Sequence, residues 1–220
     1  MSTKHLLMVV TNGERMNNQG FAGIWLSEFT EPYEEFTKAG YQVTVASPKG
    51  GESPIDDASL DNGEIPEKWH ELAELLKRTI PLSEIESASY DGVFMPGGHG
   101  AMFDLADNEE LQQILRDFHA ADKGIGAVCH GPAALTGVLL ENGEFLVANR
   151  KVAAFTNTEE EGVELVNQMP FLLETRLRKE GAIFVGKGDW EENVYADGKL
   201  VTGQNPQSSI ETAKQFIQAL

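Results

Sequence analysis

The stretch Gly124-Ile-Gly-Ala-Val-Cys-His-Gly-Pro-Ala-Ala-Leu135 decides how this chain folds. Its first five residues are small and β-prone, while Pro132, Ala133, Ala134 and Leu135 suit the opening of a helix. Cys129 and His130 therefore sit on a sharp strand-to-helix turn. A thiol there stands at the sheet edge, facing the unpaired N–H groups of the next helix, and this favours thiolate over thiol. The arrangement is the cysteine form of a nucleophile elbow. A lone cysteine is more often a small buried hydrophobe. The adjacent histidine, the flanking glycines and the strand-turn-helix context point instead to a working nucleophile.

Working outward, apolar β-like runs alternate with helical patterns along the chain. Strands are predicted at Leu6–Thr11, Gln42–Ser47, Gly92–Met95, Gly124–Val128, Lys151–Ala154 and Ala182–Val185. Several are continuously apolar, as in central strands covered on both faces. Helices are predicted at Pro32–Ala39, Glu67–Arg78, Glu109–Ala121, Pro132–Leu140, Glu159–Met169 and Pro170–Glu180. Near the end, Asn193–Ala196 and Leu200–Thr202 read as a hairpin closed by Asp197-Gly198, and Asn205-Pro206 opens a last helix to Leu220. The alternation predicts a single α/β domain over residues 1–220, with a mostly parallel sheet and helices on both faces. In such sheets the site lies at the carboxyl ends of the strands, near a topological switch point. Cys129 falls at such an end. Pro48–Pro66 is a long turn-rich loop.

The chain has 220 residues, 35 of them acidic and 17 basic, for a net charge of −18. That balance argues against a nucleic-acid partner, because phosphate binding needs a basic surface. One cysteine excludes an internal disulfide framework and suits a reducing, cytoplasmic compartment. The apolar run Leu6–Val10 is too short for a signal segment or a membrane span and reads as a first strand.

A cysteine nucleophile needs a base, an orienting group and an oxyanion site. The five histidines are His5, His70, His99, His119 and His130, and none follows His130. His130 is therefore the leading partner of Cys129. Thr158-Glu159-Glu160-Glu161 supplies carboxylates at another strand's carboxyl end, to hold the far ring nitrogen. In Met95-Pro96-Gly97-Gly98-His99-Gly100 the glycines let backbone approach a substrate, so one amide there, with the His130 N–H, can form an oxyanion hole. Glu28 precedes Pro32, which places it at a strand-to-helix entry on the same sheet edge; Glu31, Glu34 and Glu35 are rival candidates by spacing. A carboxylate beside a thiol in an apolar pocket has a raised pKa and exchanges protons near neutrality. The histidines read as scattered, so neither metal nor cofactor is expected.

Ala127-Val-Cys-His-Gly-Pro-Ala133, Pro96-Gly-Gly-His-Gly100, Ala46-Ser-Pro-Lys-Gly-Gly51 and Leu200-Val-Thr-Gly-Gln-Asn-Pro206 resemble the ThiJ/PfpI superfamily along nearly the whole chain. Gly23-Ile-Trp-Leu-Ser-Glu28 with Pro32, and Phe155-Thr-Asn-Thr-Glu-Glu160, resemble its glutathione-independent glyoxalase (glyoxalase III) and heat-shock chaperone branch. The resemblance implies a flavodoxin-like three-layer sandwich, commonly a homodimer. It implies a triad of Cys129, His130 and Glu160, with Glu28 as proton shuttle. The implied activity is a cofactor-free lyase converting a small 2-oxoaldehyde such as methylglyoxal to lactate, with amides near Gly98 and His130 holding the oxyanion. The alternatives are a cysteine hydrolase of peptide or amide bonds using the same thiol, and a redox-sensing chaperone without catalysis. Members of this branch often carry longer insertions after the second strand. That segment is short here, a departure that bears on the chaperone role.

Overall fold

The first strand shows how the fold is built. Alternate residues of Leu6–Val10 point to opposite faces of a sheet, and every one of them is fully buried. Leu7 and Val9 enter one core; Leu6, Met8 and Val10 enter another. The sheet is therefore covered on both sides, with each fully buried side chain contributing about 1.5–3 kcal/mol of apolar burial.

The computed structural model describes residues 4–16 and 20–220. Its strands are β1 (His5–Val9), β2 (Glu14–Met16), β3 (Gly20–Ala22), β4 (Gln42–Ser47), β5 (Ile80–Pro81), β6 (Gly92–Met95), β7 (Gly124–Val128), β8 (Lys151–Val152), β9 (Ile183–Phe184), β10 (Val194–Asp197) and β11 (Leu200–Gly203). Its α-helices are α1 (Leu26–Lys38), α2 (His70–Leu75), α3 (Ala101–Asp104), α4 (Glu109–Ala120), α5 (Asn157–Gly162), α6 (Leu173–Lys179) and α7 (Ser209–Ala219). Seven strands form the main sheet in the order β10-β11-β7-β6-β1-β4-β5. All pairings in it are parallel except that of β10 with β11. The chain runs outward from β1 through β4 to β5, then returns to the other side of β1 as β6. The switch point lies between β1 and β6, where a site is expected in such a sheet. Helix α4 packs its apolar stripe (Leu111, Ile114, Leu115, Phe118) on one face, and α1 and α7 cover the other through Phe29, Phe36 and Phe216. Asn108 caps α4 by accepting the Leu111 N–H at 3.0 Å. This is the flavodoxin-like three-layer sandwich.

Several elements differ from the sequence reading. Helix α1 begins six residues before Pro32, so Pro32 lies inside it rather than opening it. The segment after Cys129 is a short 3-10 turn, Gly131–Leu135, not the predicted helix Pro132–Leu140. Thr136 ends it in an extended conformation, and at its start Gly131 packs so closely on the Met95 carbonyl that there is no room for a Cβ. The predicted strands Lys151–Ala154 and Ala182–Val185 shrink to β8 and β9, which pair only with each other. The Glu67–Arg78 helix narrows to a 3-10 turn plus α2, and the two helices predicted across 159–180 narrow to α5 and α6. The final hairpin turns on Gly198-Lys199 rather than Asp197-Gly198, since Asp197 pairs with Leu200. Gly198, at φ 61°, takes the left-handed position. Among the described residues, no helix is long and apolar enough to cross a membrane.

Candidate active site

Cys129 follows β7 with φ 59°, a left-handed conformation that a non-glycine residue adopts at a cost of about 1–3 kcal/mol. Both of its backbone groups are tied. Its N–H donates to the Gly203 carbonyl of β11 at 3.0 Å, and its carbonyl accepts the Phe155 N–H at 3.0 Å. This second bond, with the Ala153 N–H donated to Thr202 Oγ1 at 2.9 Å, carries the chain after β8 to the edge of the main sheet although β8 itself is not part of it.

That placement delivers Glu160, from the first turn of α5. His130 Nε2 lies 2.6 Å from Glu160 Oε2, and His130 Nδ1 lies 3.5 Å from Cys129 Sγ. A carboxylate only accepts, so Nε2 carries the ring proton and Nδ1 is left free to take one from sulfur. Glu159, its neighbour, does not reach His130. Its Oε2 closes a capping box with Thr156 at the start of α5, and its Oε1 accepts the Trp190 N–H at 2.9 Å.

A second imidazole, which the sequence reading left out of the site, shares the same carboxylate. His99 Nε2 is 2.8 Å from Glu160 Oε1, and the His99 and His130 rings lie tilted at 42° with centroids 4.2 Å apart. His99 lies in the Pro96–Gly100 run just beyond β6, so the signal was its place in that motif. Two of the histidines read as scattered thus converge, and with Glu160 they bring three potential ligand atoms within 4.8 Å of one another. Both Nε2 atoms are engaged with the carboxylate. Burial alone would raise the Glu160 pKa, but the bonds from His130 and His99 hold it well below the usual carboxylate range. Burial and the nearby His99 lower the His130 pKa, against the pull of Glu160.

Glu28 reaches the thiol from the opposite side, in the first turn of α1, and is fully buried. Glu31, Glu34 and Glu35 are not among these contacts. The Gly97 N–H donates to Glu28 Oε2 at 2.8 Å, Oε1 is buried without a hydrogen-bond partner, and the carboxyl group neighbours the Cys129 thiol. Burial pushes its pKa up to about 8, although the thiol and the Gly97 amide partly offset the rise. Burial, and then the charge of Glu28, push the Cys129 thiol well above its ordinary value. The expectation of a standing thiolate is therefore corrected. The turn after Cys129 is too short to supply a helix dipole, and burial, with Glu28 beside the sulfur, outweighs the His130 N–H that favours the anion.

The expected place of Gly98 also changes. A Cβ on Gly97 would stand 2.5 Å from Glu28 Oε2 and 2.6 Å from the His130 nitrogen, so Gly97 is the glycine packed against Glu28 and His130. Gly98, at φ 99°, instead packs on the backbone of Gly23–Trp25.

A buried Cys–His–Glu relay faced by a separate carboxylate, on this sheet topology, places the chain among known proteins. The model of the DJ-1/PfpI family matches residues 21–219. The chain belongs to that family. Glyoxalase 3 of Candida albicans is 34% identical, with 98% of each chain covered. Glutathione-independent glyoxalase HSP31 of Saccharomyces cerevisiae is 29% identical over 100% of this chain and 99% of its own. The crystal structure of glyoxalase III from Candida albicans superposes with a TM-score of 0.89 at 28% identity, covering 99% of this chain and 97% of that one.

Proposed function

We propose that this family member is a glutathione-independent glyoxalase acting on small 2-oxoaldehydes such as methylglyoxal. The observation that carries the reading is Glu28, a buried carboxyl group against the thiol with a pKa of about 8. A cysteine hydrolase with His130 as its base has no use for a proton-exchanging carboxylate at that position. An isomerisation does.

The thiol first gives its proton to His130 Nδ1, and Glu160 stabilises the imidazolium that forms. Sulfur attacks the aldehyde carbon, and the carbonyl oxygen takes the proton from His130, leaving a hemithioacetal. The sulfur charge is lost in this step, so a raised thiol pKa hinders the resting anion more than the adduct. Glu28, when ionised, removes the hydrogen on C1 as a proton and returns it to C2 through an enediolate. C1 becomes a thioester carbonyl. Water then cleaves the thioester to lactate and regenerates the thiol. The sum is one methylglyoxal and one water to one lactate, with no external oxidant or reductant. The amides of His130 and Gly98 are the donors proposed for the developing oxyanion, the Gly97 N–H being committed to Glu28.

The same reading carries the homodimer implied by the family resemblance and the cytoplasmic setting implied by a single free cysteine. Sedimentation and fractionation test these. The activity itself is tested by incubating the purified protein with methylglyoxal, without glutathione or added metal, and following lactate. No lactate, or undiminished lactate from a folded Cys129→Ala variant, overturns the proposal.

A further inference from the structure

The reacting groups are enclosed. Glu28 is 0%, His130 1% and Cys129 3% exposed. With the reacting carbons of a 2-oxoaldehyde at these groups, its variable side group lies on the way to solvent. An aromatic run leads from these groups to the surface. Phe155 rests on the His130 ring at 4.4 Å between centroids, and Trp190 meets Phe155 edge-on at 5.6 Å. Trp190 is 42% exposed, the outer end of a three-ring run that begins beside the nucleophile.

Trp190 is also held there at a cost. Its φ is 63°, a genuine outlier for a bulky residue. The loop 186–192 that carries it is exposed and keeps its course through a buried latch. Glu159 Oε1 accepts the Trp190 N–H at 2.9 Å, Gln204 Nε2 at 3.1 Å and Asn205 Nδ2 at 2.9 Å. Asn205 Nδ2 also donates to the Glu191 carbonyl at 2.8 Å. A carboxylate with no exposure, adjacent in sequence to the one that orients His130, thus fixes an exposed tryptophan near the same site.

We infer that Trp190, latched by Glu159, is a specificity-determining residue that selects 2-oxoaldehydes carrying an aromatic side group. The inference rests on the glyoxalase reading. An aromatic substituent gains an edge-to-face or stacked contact with the indole, whereas a methyl group has no ring to offer for such a contact. The test compares methylglyoxal with phenylglyoxal as substrates of the wild type, Trp190→Ala and Trp190→Phe.

In Trp190→Ala, kcat/KM for phenylglyoxal should fall about tenfold, mainly through KM, as expected when one aromatic contact is removed. For methylglyoxal it should change less than about twofold, since no ring contact is lost. Trp190→Phe should recover most of the phenylglyoxal value, which a purely structural role of the loop does not predict. Equal losses on both substrates, or no loss on either, overturn the inference while leaving the glyoxalase reading intact. Absence of wild-type turnover on both substrates overturns the two together.

Discussion

Replacing Glu28 with Gln separates chemistry from stability in one variant. The amide keeps the size of the carboxyl group, and its oxygen still accepts the Gly97 N–H, so the local fold should persist. It cannot take and return a proton. Removing a general acid–base group typically costs 10²–10⁴-fold, so lactate formation should fall by about that factor. Stability should move the other way at high pH. The native-state pKa is raised from 4.5 to about 8. Glu28 therefore contributes stability that is fully present below pH 4.5 and is lost as pH rises through about 8. At 1.36 kcal/mol per pKa unit, the full loss is on the order of 5 kcal/mol. Gln carries no such titration. At pH 9 the variant should melt on the order of 10 °C above the wild type, with the gap closing towards pH 4. Paired initial-rate and thermal-unfolding measurements at pH 5, 7 and 9 check both arms. Wild-type turnover in the variant, or a melting difference that ignores pH, would refute the assignment of Glu28 as a buried proton carrier.

The same ionisation should shape the rate profile: kcat/KM should climb with pH up to about 8, and a plateau reached already at pH 6 would contradict it. Alkylation of Cys129 by iodoacetamide should be slow at pH 7 and accelerate only in the alkaline range, because burial and Glu28 raise the thiol; fast alkylation at pH 6 would show a standing thiolate. Gly97→Ala should cut turnover at least about 10²-fold and lower the melting temperature as well, since its Cβ would crowd Glu28 Oε2, the His130 amide and the Val128 carbonyl. Glu160→Gln should lower kcat by about 10²–10⁴-fold, because an amide no longer fixes the His130 tautomer that leaves Nδ1 free.

The layers of the fold were legible because the core strands carry their own signal. β1, β6 and β7 are uninterrupted apolar or small-residue runs, and only a sheet covered on both faces buries such runs. The misread elements are those whose ends are decided by tertiary contacts. Pro32 looks like a helix opening because its ring forbids a bond to the fourth residue before it, yet α1 runs through it from Leu26. Pro132-Ala-Ala-Leu135 has helical propensity, but Gly131 is fitted tightly under the Met95 carbonyl at the start of the segment and Thr136 turns extended at its end, leaving one short 3-10 turn. Propensity sums over neighbours in sequence and does not register either constraint.

The site divides along the same line. Cys129 and His130 are adjacent in sequence, so their contact follows from the motif. Glu28 and Glu160 were each singled out among rival glutamates by resemblance, and only the packing separates them physically: α1 turns Glu28 toward Gly97, and the capping box of α5 commits Glu159 and frees Glu160 for the histidines. His99 shares that carboxylate from a different strand end, a contact that no spacing rule predicts. The sign of the thiol's pKa was the hardest feature to read. Motif logic places the cysteine at a helix start and predicts an anion, but ionisation is governed by desolvation and the nearest charge. Both are properties of the assembled interior, where Glu28 occupies the space a counter-cation would need. The consequence is mechanistic. With the thiol raised by burial and Glu28, the proposed mechanism has His130 take its proton as the substrate arrives. Glu160, held as an anion by two imidazoles, is what makes that transfer affordable in a buried site.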